Sequence, residues 1–224
     1  MPKDGPPTRT RILDSAERLI LQRGFAATSV DEVIADSRSS KGAFFHHFPT
    51  KNDLGRALVA RYAAADVEHL ETFMTAAEAE IADPAGQVIA FIRLFEEAAD
   101  EIVAEQPSCL YVSFIYDRQL SEDGTTEMIV DAIVAWRDLL RAKLQAAADL
   151  HPPSSDIDLQ DLADHVFVTF EGAFILARSL QDPSHMRRQL ALLRGLLELL
   201  FDVPSKATTS PRTLTRRSHD RPRQ

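Results

Sequence analysis

The sequence predicts an all-α protein: a small N-terminal three-helix unit followed by a larger helical body. Three observations carry that expectation. Apolar residues recur at helical spacing in almost every segment, and no alternating strand pattern interrupts them. Capping residues stand before these segments, with Gly or Pro after them. The charge is also unevenly placed. Residues 1–60 carry 9 Lys/Arg and 7 Asp/Glu, residues 61–203 carry 10 and 26, and residues 204–224 carry 6 and 1. An acidic body between less acidic ends suits a protein whose N-terminal part alone meets a polyanion, although an ordinary acidic protein can also vary in this way.

The elements follow in order. Residues 1–8 form a polar, proline-rich arm. The first helix is expected over 10–23, with Ile12, Ala16, Leu19 and Ile20 on one face and Gly24 as its stop. Thr28 or Ser29 opens the second helix, because Thr28 with Asp31 and Ser29 with Glu32 both have capping-box spacing. Val30, Val33 and Ile34 form its apolar face, and Ser37–Ser39 is the turn. A short third helix over 40–47 closes before Pro49. Thr50 caps a long fourth helix to about Ala82, where Pro84 breaks the chain. Further helices are expected at 85–105, 108–119, 122–149, 157–181 and 184–202, separated at Pro107, Ser121–Gly124, His151-Pro152-Pro153 and Asp182-Pro183. The Ser/Thr/Pro/Arg-rich tail over 204–224 is expected to be disordered. The domains are then an arm over 1–8, a first domain over 9–55, a body over 56–203 and the tail.

At 224 residues and 45% hydrophobic content the chain is large enough for a substantial core. It has no apolar run of the roughly 18 residues a membrane helix needs, so no membrane partner is expected. The start has no apolar signal region, and one cysteine makes no internal disulfide; a cytoplasmic protein is expected.

The stretch Thr28 to Asp53 carries the clearest chemistry. Lys41 follows the cap Ser40 and Lys51 follows the cap Thr50. The positive end of a helix dipole disfavours cations, and a polyanion docked at both starts turns that conflict into attraction. Three short helices around Ile12, Leu19, Phe25, Val33, Ile34, Phe44 and Phe48 make a helix-turn-helix, whose second helix lies in the major groove. Residues 40–47 are that helix. Gly42 and Ala43 allow close backbone approach, and Lys41 can donate to a guanine edge. His46 and His47 can reach phosphates; as adjacent helical residues pointing about 100° apart they make a poor metal pair, and no metal is expected. Thr28 can offer a hydroxyl and a backbone N–H to a phosphate. Solvated surface lysines remain the alternative for Lys41 and Lys51.

The segment GFAATSVDEVIADSRSSKGAFFHHFPTKNDL resembles the N-terminal domain of the TetR family of transcriptional regulators. The matching pieces are Gly24-Phe25, Thr28, Ser40-Lys41-Gly42, the aromatic run Phe44–Phe48, and Lys51 after Pro49; the close match spans 8–60. The resemblance implies base contacts from Lys41, Gly42 and Ala43, and phosphate contacts from Thr28, Phe45, His46, His47 and Lys51. Two positions depart from the family pattern. Arg38 stands where the family usually has Gly, so left-handed backbone strain or an added cation is expected there. Phe45 stands where Tyr is frequent, and it lacks the hydroxyl for a phosphate bond.

For the body the resemblance implies a ligand-binding and dimerisation domain, with the last two helices (157–181 and 184–202) forming a four-helix bundle with a second copy. Phe167, Phe170, Phe174, Leu176 and Leu180, then Leu190, Leu193, Leu196, Leu197, Leu200 and Phe201, give these helices more apolar surface than an edge helix of a monomer needs. Glu171-Gly172-Ala173 places small residues where helices can approach closely. Phe91, Phe95, Cys109, Tyr111, Phe114, Ile115, Trp136, His165 and Phe170 are candidates for an apolar cavity with a few polar tips, or for ordinary core. Cys109 follows Pro107-Ser108 at an expected helix start, where a helix dipole stabilises a thiolate. Cys109-Leu110, with Ser121-Glu122-Asp123 further on, resembles the branch of the family that includes the N-ethylmaleimide-responsive repressor. A small buried hydrophobe is the alternative for this cysteine.

The expected function is a ligand-responsive regulator. A homodimer holds a pseudo-palindromic operator in double-stranded DNA, with recognition helices roughly 34–36 Å apart, and releases it when a small apolar or amphipathic effector occupies the body. Repression is expected first. Activation, constitutive DNA binding and cysteine-based sensing are the alternatives. An enzyme is disfavoured: the chain has no Glu-x-x-His, Gly-x-Ser-x-Gly or phosphate loop, and no cofactor is expected.

Overall fold

A computed structural model describes residues 8–105, 108–115 and 124–203. Residues 1–7 of the expected arm, Pro107, residues 116–119 of the expected sixth helix, Ser121–Asp123 of the expected separator and the tail over 204–224 lie outside the described residues. The described chain forms α1 (Thr8–Arg23), α2 (Val30–Asp36), α3 (Lys41–His47), α4 (Lys51–Glu80), α5 (Pro84–Glu105), α6 (Leu110–Ile115), α7 (Thr125–Leu150), α8 (Leu159–Ser179) and α9 (Ser184–Leu200). The all-α expectation holds, with α1 starting two residues earlier than expected and taking Thr8 out of the arm.

Local chemistry sets the helix ends. Ser29, not Thr28, is the N-cap of α2: its hydroxyl accepts the Glu32 N–H, and the Glu32 carboxylate accepts the Ser29 N–H at 2.9 Å. Ser40 caps α3 through the Ala43 N–H, and Thr50 with Asp53 closes a second capping box on α4. α1 stops at Gly24, whose φ of 86° is open to glycine at no steric cost. α2 ends in a Schellman motif: Ser39 N–H reaches the Ile34 carbonyl and Arg38 N–H the Ala35 carbonyl. Its left-handed position is held by Arg38 at φ 52°, which is the backbone strain expected there.

α1, α2 and α3 pack on one another around Ile12, Ile20, Phe25, Val33, Phe44 and Phe48, all buried. Arg23–Glu32 and Arg18–Asp36 tie α1 to α2, and Arg61 of α4 pairs with Asp14 and Glu17 of α1. The body packs α4, α5 and α7 together, lays α9 along α5, and inserts α8 between α7 and α9. Ion pairs cross these seams at Arg137–Asp164 and Arg194–Glu96. α6 lies between the two units, touching α1, α4 and α7.

Candidate nucleic-acid interface and cavity

The turn between α2 and α3 leaves one face of α3 open. Phe44 is fully buried and Phe48 nearly so, their rings tilted against each other, and they pin the helix to the core. One residue on either side of Phe44 the helix turns outward. Lys41 and Gly42 are exposed, Phe45 is 43% exposed, His46 is exposed, and Ala43 and His47 are half-buried. The Lys41 ammonium lies 3.5 Å from Asp31 with 71% of its side chain exposed. A pair so open contributes little and gives way readily to a phosphate or base edge. A Cβ added at Gly42 would meet nothing within 4 Å, so glycine there is not required by the protein's own packing.

Two expected phosphate contacts are placed differently. Thr28 is 2% exposed; its hydroxyl donates to the Gly24 carbonyl at 2.9 Å and its N–H to the Phe25 carbonyl. Both groups expected to meet DNA are used inside the protein, because Thr28 closes the loop after α1 while its neighbour caps α2. The Lys51 ammonium donates to the Phe25 carbonyl at 2.7 Å and lies 4.4 Å from the centre of the Phe25 ring. It satisfies carbonyls that the end of α1 leaves open, on the half-buried side of the loop.

The body encloses a cavity of about 270 Å³, smaller than a typical drug-sized site of ~300–1,000 Å³. Of the residues expected there, Phe95, Cys109, Tyr111, Trp136 and Phe170 line it. Phe91 is fully buried behind Phe95 and Trp136. Phe114 faces away, its ring 4.9 Å from that of Phe25. His165 and Ile115 are exposed on the outer sides of α8 and α6. For these four the helical spacing was right but the rotation about the helix axis was not fixed by sequence.

The polar groups of the cavity were missed. Asp66 accepts the Tyr111 hydroxyl at 3.0 Å and the Trp136 indole N–H at 2.9 Å, both on Oδ2. Glu171 lines the cavity together with Cys109, and its negative charge disfavours the thiolate. Burial pushes both carboxyls above their ordinary values. The available signal was a stripe on each helix: Tyr62, Asp66, His69 and Phe73 on α4, and Phe167, Phe170, Glu171 and Phe174 on α8, at spacings of three and four.

Cys109 is corrected by its surroundings. It is 4% exposed, and burial, then the Glu171 carboxylate, push its thiol well above the usual range. Any benefit from the start of α6, a helix of only six residues, is outweighed.

α6 joins this cavity to the DNA-facing unit. Cys109 and Tyr111 point into the cavity, while the Ser108 hydroxyl donates to the Leu21 carbonyl of α1 at 3.1 Å and Phe114 packs on Phe25. Gly55 permits this packing, since a Cβ there would come within 3.0 Å of Phe25 and 3.1 Å of Phe114. Arg178 at the end of α8 donates to the Leu21 and Gln22 carbonyls at 3.1 and 2.9 Å.

Comparison with known proteins agrees with both halves. Residues 12–58 match the family described as bacterial regulatory proteins, tetR family, and residues 84–193 match the family described as tetracyclin repressor-like, C-terminal domain. The transcriptional regulator AcuR of Cereibacter sphaeroides is 25% identical over 162 residues, 71% of each chain. The HTH-type transcriptional repressor NemR of Escherichia coli is 33% identical over 76 residues, 34% of this chain and 38% of that protein. Among solved structures, a regulatory protein TetR from Rhodobacter sphaeroides superposes with a TM-score of 0.72 at 21% identity, covering 84% of this chain and 98% of that one. The reduced form of Escherichia coli NemR superposes with a TM-score of 0.64 at 21% identity, over 85% and 97%.

Proposed function

The chain belongs to the TetR family of bacterial transcriptional regulators, and from that premise we propose that it is a homodimeric repressor releasing its operator when a small molecule fills the body cavity. The observation that carries the DNA half is the face of α3: an end capped by Ser40 and an outward surface of Lys41, Gly42, Phe45 and His46 on a helix pinned by Phe44. In this reading Lys41 reads a base, Gly42 and Ala43 let the backbone close on the groove, and His46 and His47 meet phosphates. Phe45 gives apolar contact, for instance to a thymine methyl. Lys51 and Thr28 are positioning residues that hold the loop beneath α3.

The dimer surface in this reading is the exposed apolar side of α8 and α9, where Val168, Ile175, Leu180, Leu192, Leu196 and Leu199 are all more than one-third exposed. The α6 contacts support coupling. An occupant of the cavity that displaces Tyr111 moves α6, and α6 bears on α1 through Ser108 and Phe114. The occupant shifts the equilibrium only by its differential affinity for the two states.

Selection from random duplexes followed by footprinting tests the reading. A pseudo-palindrome protected on one DNA face, with half-sites one or two turns apart, is expected. Failure to enrich any sequence overturns it. Promoter output with and without the gene separates repression from activation.

A further inference from the structure

The cavity is more specific than its size. Its walls are aromatic, with Phe73, Phe95, Trp136 and Phe170 among them, and it is acidic. Asp66 on α4 and Glu171 on α8 are half-buried acidic groups of its wall, and Glu101 and Glu105 of α5 add to the same sign. No Lys or Arg lines it among the described residues; His69 is its only basic side chain. Elsewhere in the body, partly buried carboxylates are met by guanidinium groups, as at Asp164 by Arg137 and Glu96 by Arg194. Asp66 instead accepts from a phenol and an indole with only His69 opposing its burial, and no Lys or Arg pairs with Asp66 or Glu171 among the described residues. Two half-buried carboxyls with no Lys or Arg beside them are costly to ionise, and burial raises both pKa values even though His69 opposes the shift at Asp66. Ring faces carry negative potential of the same sign. An anion entering here meets repulsion from both. A neutral ligand leaves the carboxyls as they are.

We infer that the cavity takes an organic cation, an ammonium group on a compact apolar frame, with the ammonium between Asp66 and Glu171 and the frame against the aromatic wall. The inference rests on the proposed role of this cavity as the effector site and names the chemical class of the effector.

Trp136 is the only tryptophan of the chain and lines the cavity, so its fluorescence reports occupancy in the full-length protein without DNA. Three probes of matched frame and different charge decide the matter: 3-phenylpropylammonium, 3-phenylpropanol and 3-phenylpropionate. The ammonium is expected to give a saturable change, binding roughly tenfold or more tightly than the alcohol, with no response to the carboxylate. Asp66→Asn and Glu171→Gln are each expected to weaken the ammonium by roughly tenfold and leave the alcohol unchanged. Glu171→Gln leaves the Tyr111 and Trp136 bonds to Asp66 in place, so it carries the test if Asp66→Asn fails to fold. Binding of the alcohol or the carboxylate as tight as that of the ammonium, no saturable change with the ammonium at millimolar concentration, or an ammonium affinity unchanged in Glu171→Gln overturns the inference. None of these readouts involves DNA, so a failure here leaves the regulator reading standing, and a failure to bind DNA leaves the fluorescence result standing.

Discussion

Lys51 shows how one side chain changes role when its neighbours are known. Placed after a helix cap it looks like a phosphate clamp, but its ammonium is committed to the Phe25 carbonyl and ring. Lys51→Ala should therefore lower the stability of the DNA-free protein by about 1–2 kcal/mol, the sum of a charge-assisted hydrogen bond and a cation–π contact. Thermal unfolding checks this. Unchanged stability together with a salt dependence of DNA binding shallower by about one would return Lys51 to the phosphate class. Asp66 gives the pH prediction. Its folded pKa is raised above the unfolded value, so between the two the folded state binds more protons than the unfolded one. Its contribution to stability therefore rises as pH falls through the folded pKa toward the unfolded value, about 3.9, and the burial penalty is fully present above the folded pKa. Asp66→Asn removes that penalty and keeps an oxygen for Tyr111 and Trp136. The variant should be more stable than the parent at neutral pH, and the difference in Tm should shrink as pH falls through the raised folded pKa toward about 4. A difference independent of pH would refute it.

Among the helices, termini were the most legible feature and rotation the least. Ser40, Thr50, Gly24 and the proline breaks place most ends of the described helices within about two residues, because capping is local chemistry that needs no tertiary partner; α7, with no such side-chain cap, begins at Thr125, three residues later than expected. Thr28 and Ser29 offered the same capping spacing, and only packing of Thr28 against Gly24 decided for Ser29. The stripes of α5 and α8 were equally visible, yet which aromatic lines the cavity and which lies behind it depends on a few tens of degrees of rotation set by neighbouring helices. Asp66 and Glu171 were hidden for a related reason: a carboxylate in an acidic body reads as a solvated face until burial is known. The Schellman end of α2 is a test at this scale. Arg38→Gly should stabilise the protein by about 0.5–1 kcal/mol, the relief of a left-handed non-glycine backbone less the entropy of a new glycine. Denaturant unfolding with an unchanged slope measures it, and any loss of stability counts against strain at Arg38. On α9, Leu199 is 75% exposed and Leu192 is also open. The double variant Leu192→Glu, Leu199→Glu should keep its helical spectrum, since neither side chain supports the protomer. It should raise the dimer dissociation constant by roughly a hundredfold or more. A light-scattering mass still that of a dimer at micromolar concentration would move the interface elsewhere.

At the scale of the whole molecule the question is how about 270 Å³ of cavity communicates with a helix face on another unit. The chain answers with one six-residue helix. α6 has its Tyr111 side on the cavity and its Phe114 side on Phe25, and Phe25 also receives Lys51 and sits at the end of α1. A rigid contact of this kind transmits a shift only while its shape is complementary, because close-packed interfaces move between discrete arrangements and do not stretch. Phe114→Leu tests the route: it removes the ring contact with Phe25 while leaving a smaller void than Phe114→Ala would. The variant should bind 3-phenylpropylammonium as the parent does, by Trp136 fluorescence, and should bind operator DNA within a few-fold of the parent when the cavity is empty. The coupling between the two, about 1–3 kcal/mol in allosteric systems of this kind, should fall. Linkage supplies an internal check. Whatever factor the ammonium takes from DNA affinity, DNA must take from ammonium affinity, so titrating the probe with and without operator gives the same number twice. Equal coupling in parent and variant would exclude Phe114 as the route and leave three others to α1: the Ser108 bond to the Leu21 carbonyl, the Arg61 pairs with Asp14 and Glu17, and the Arg178 bonds from α8 to the Leu21 and Gln22 carbonyls.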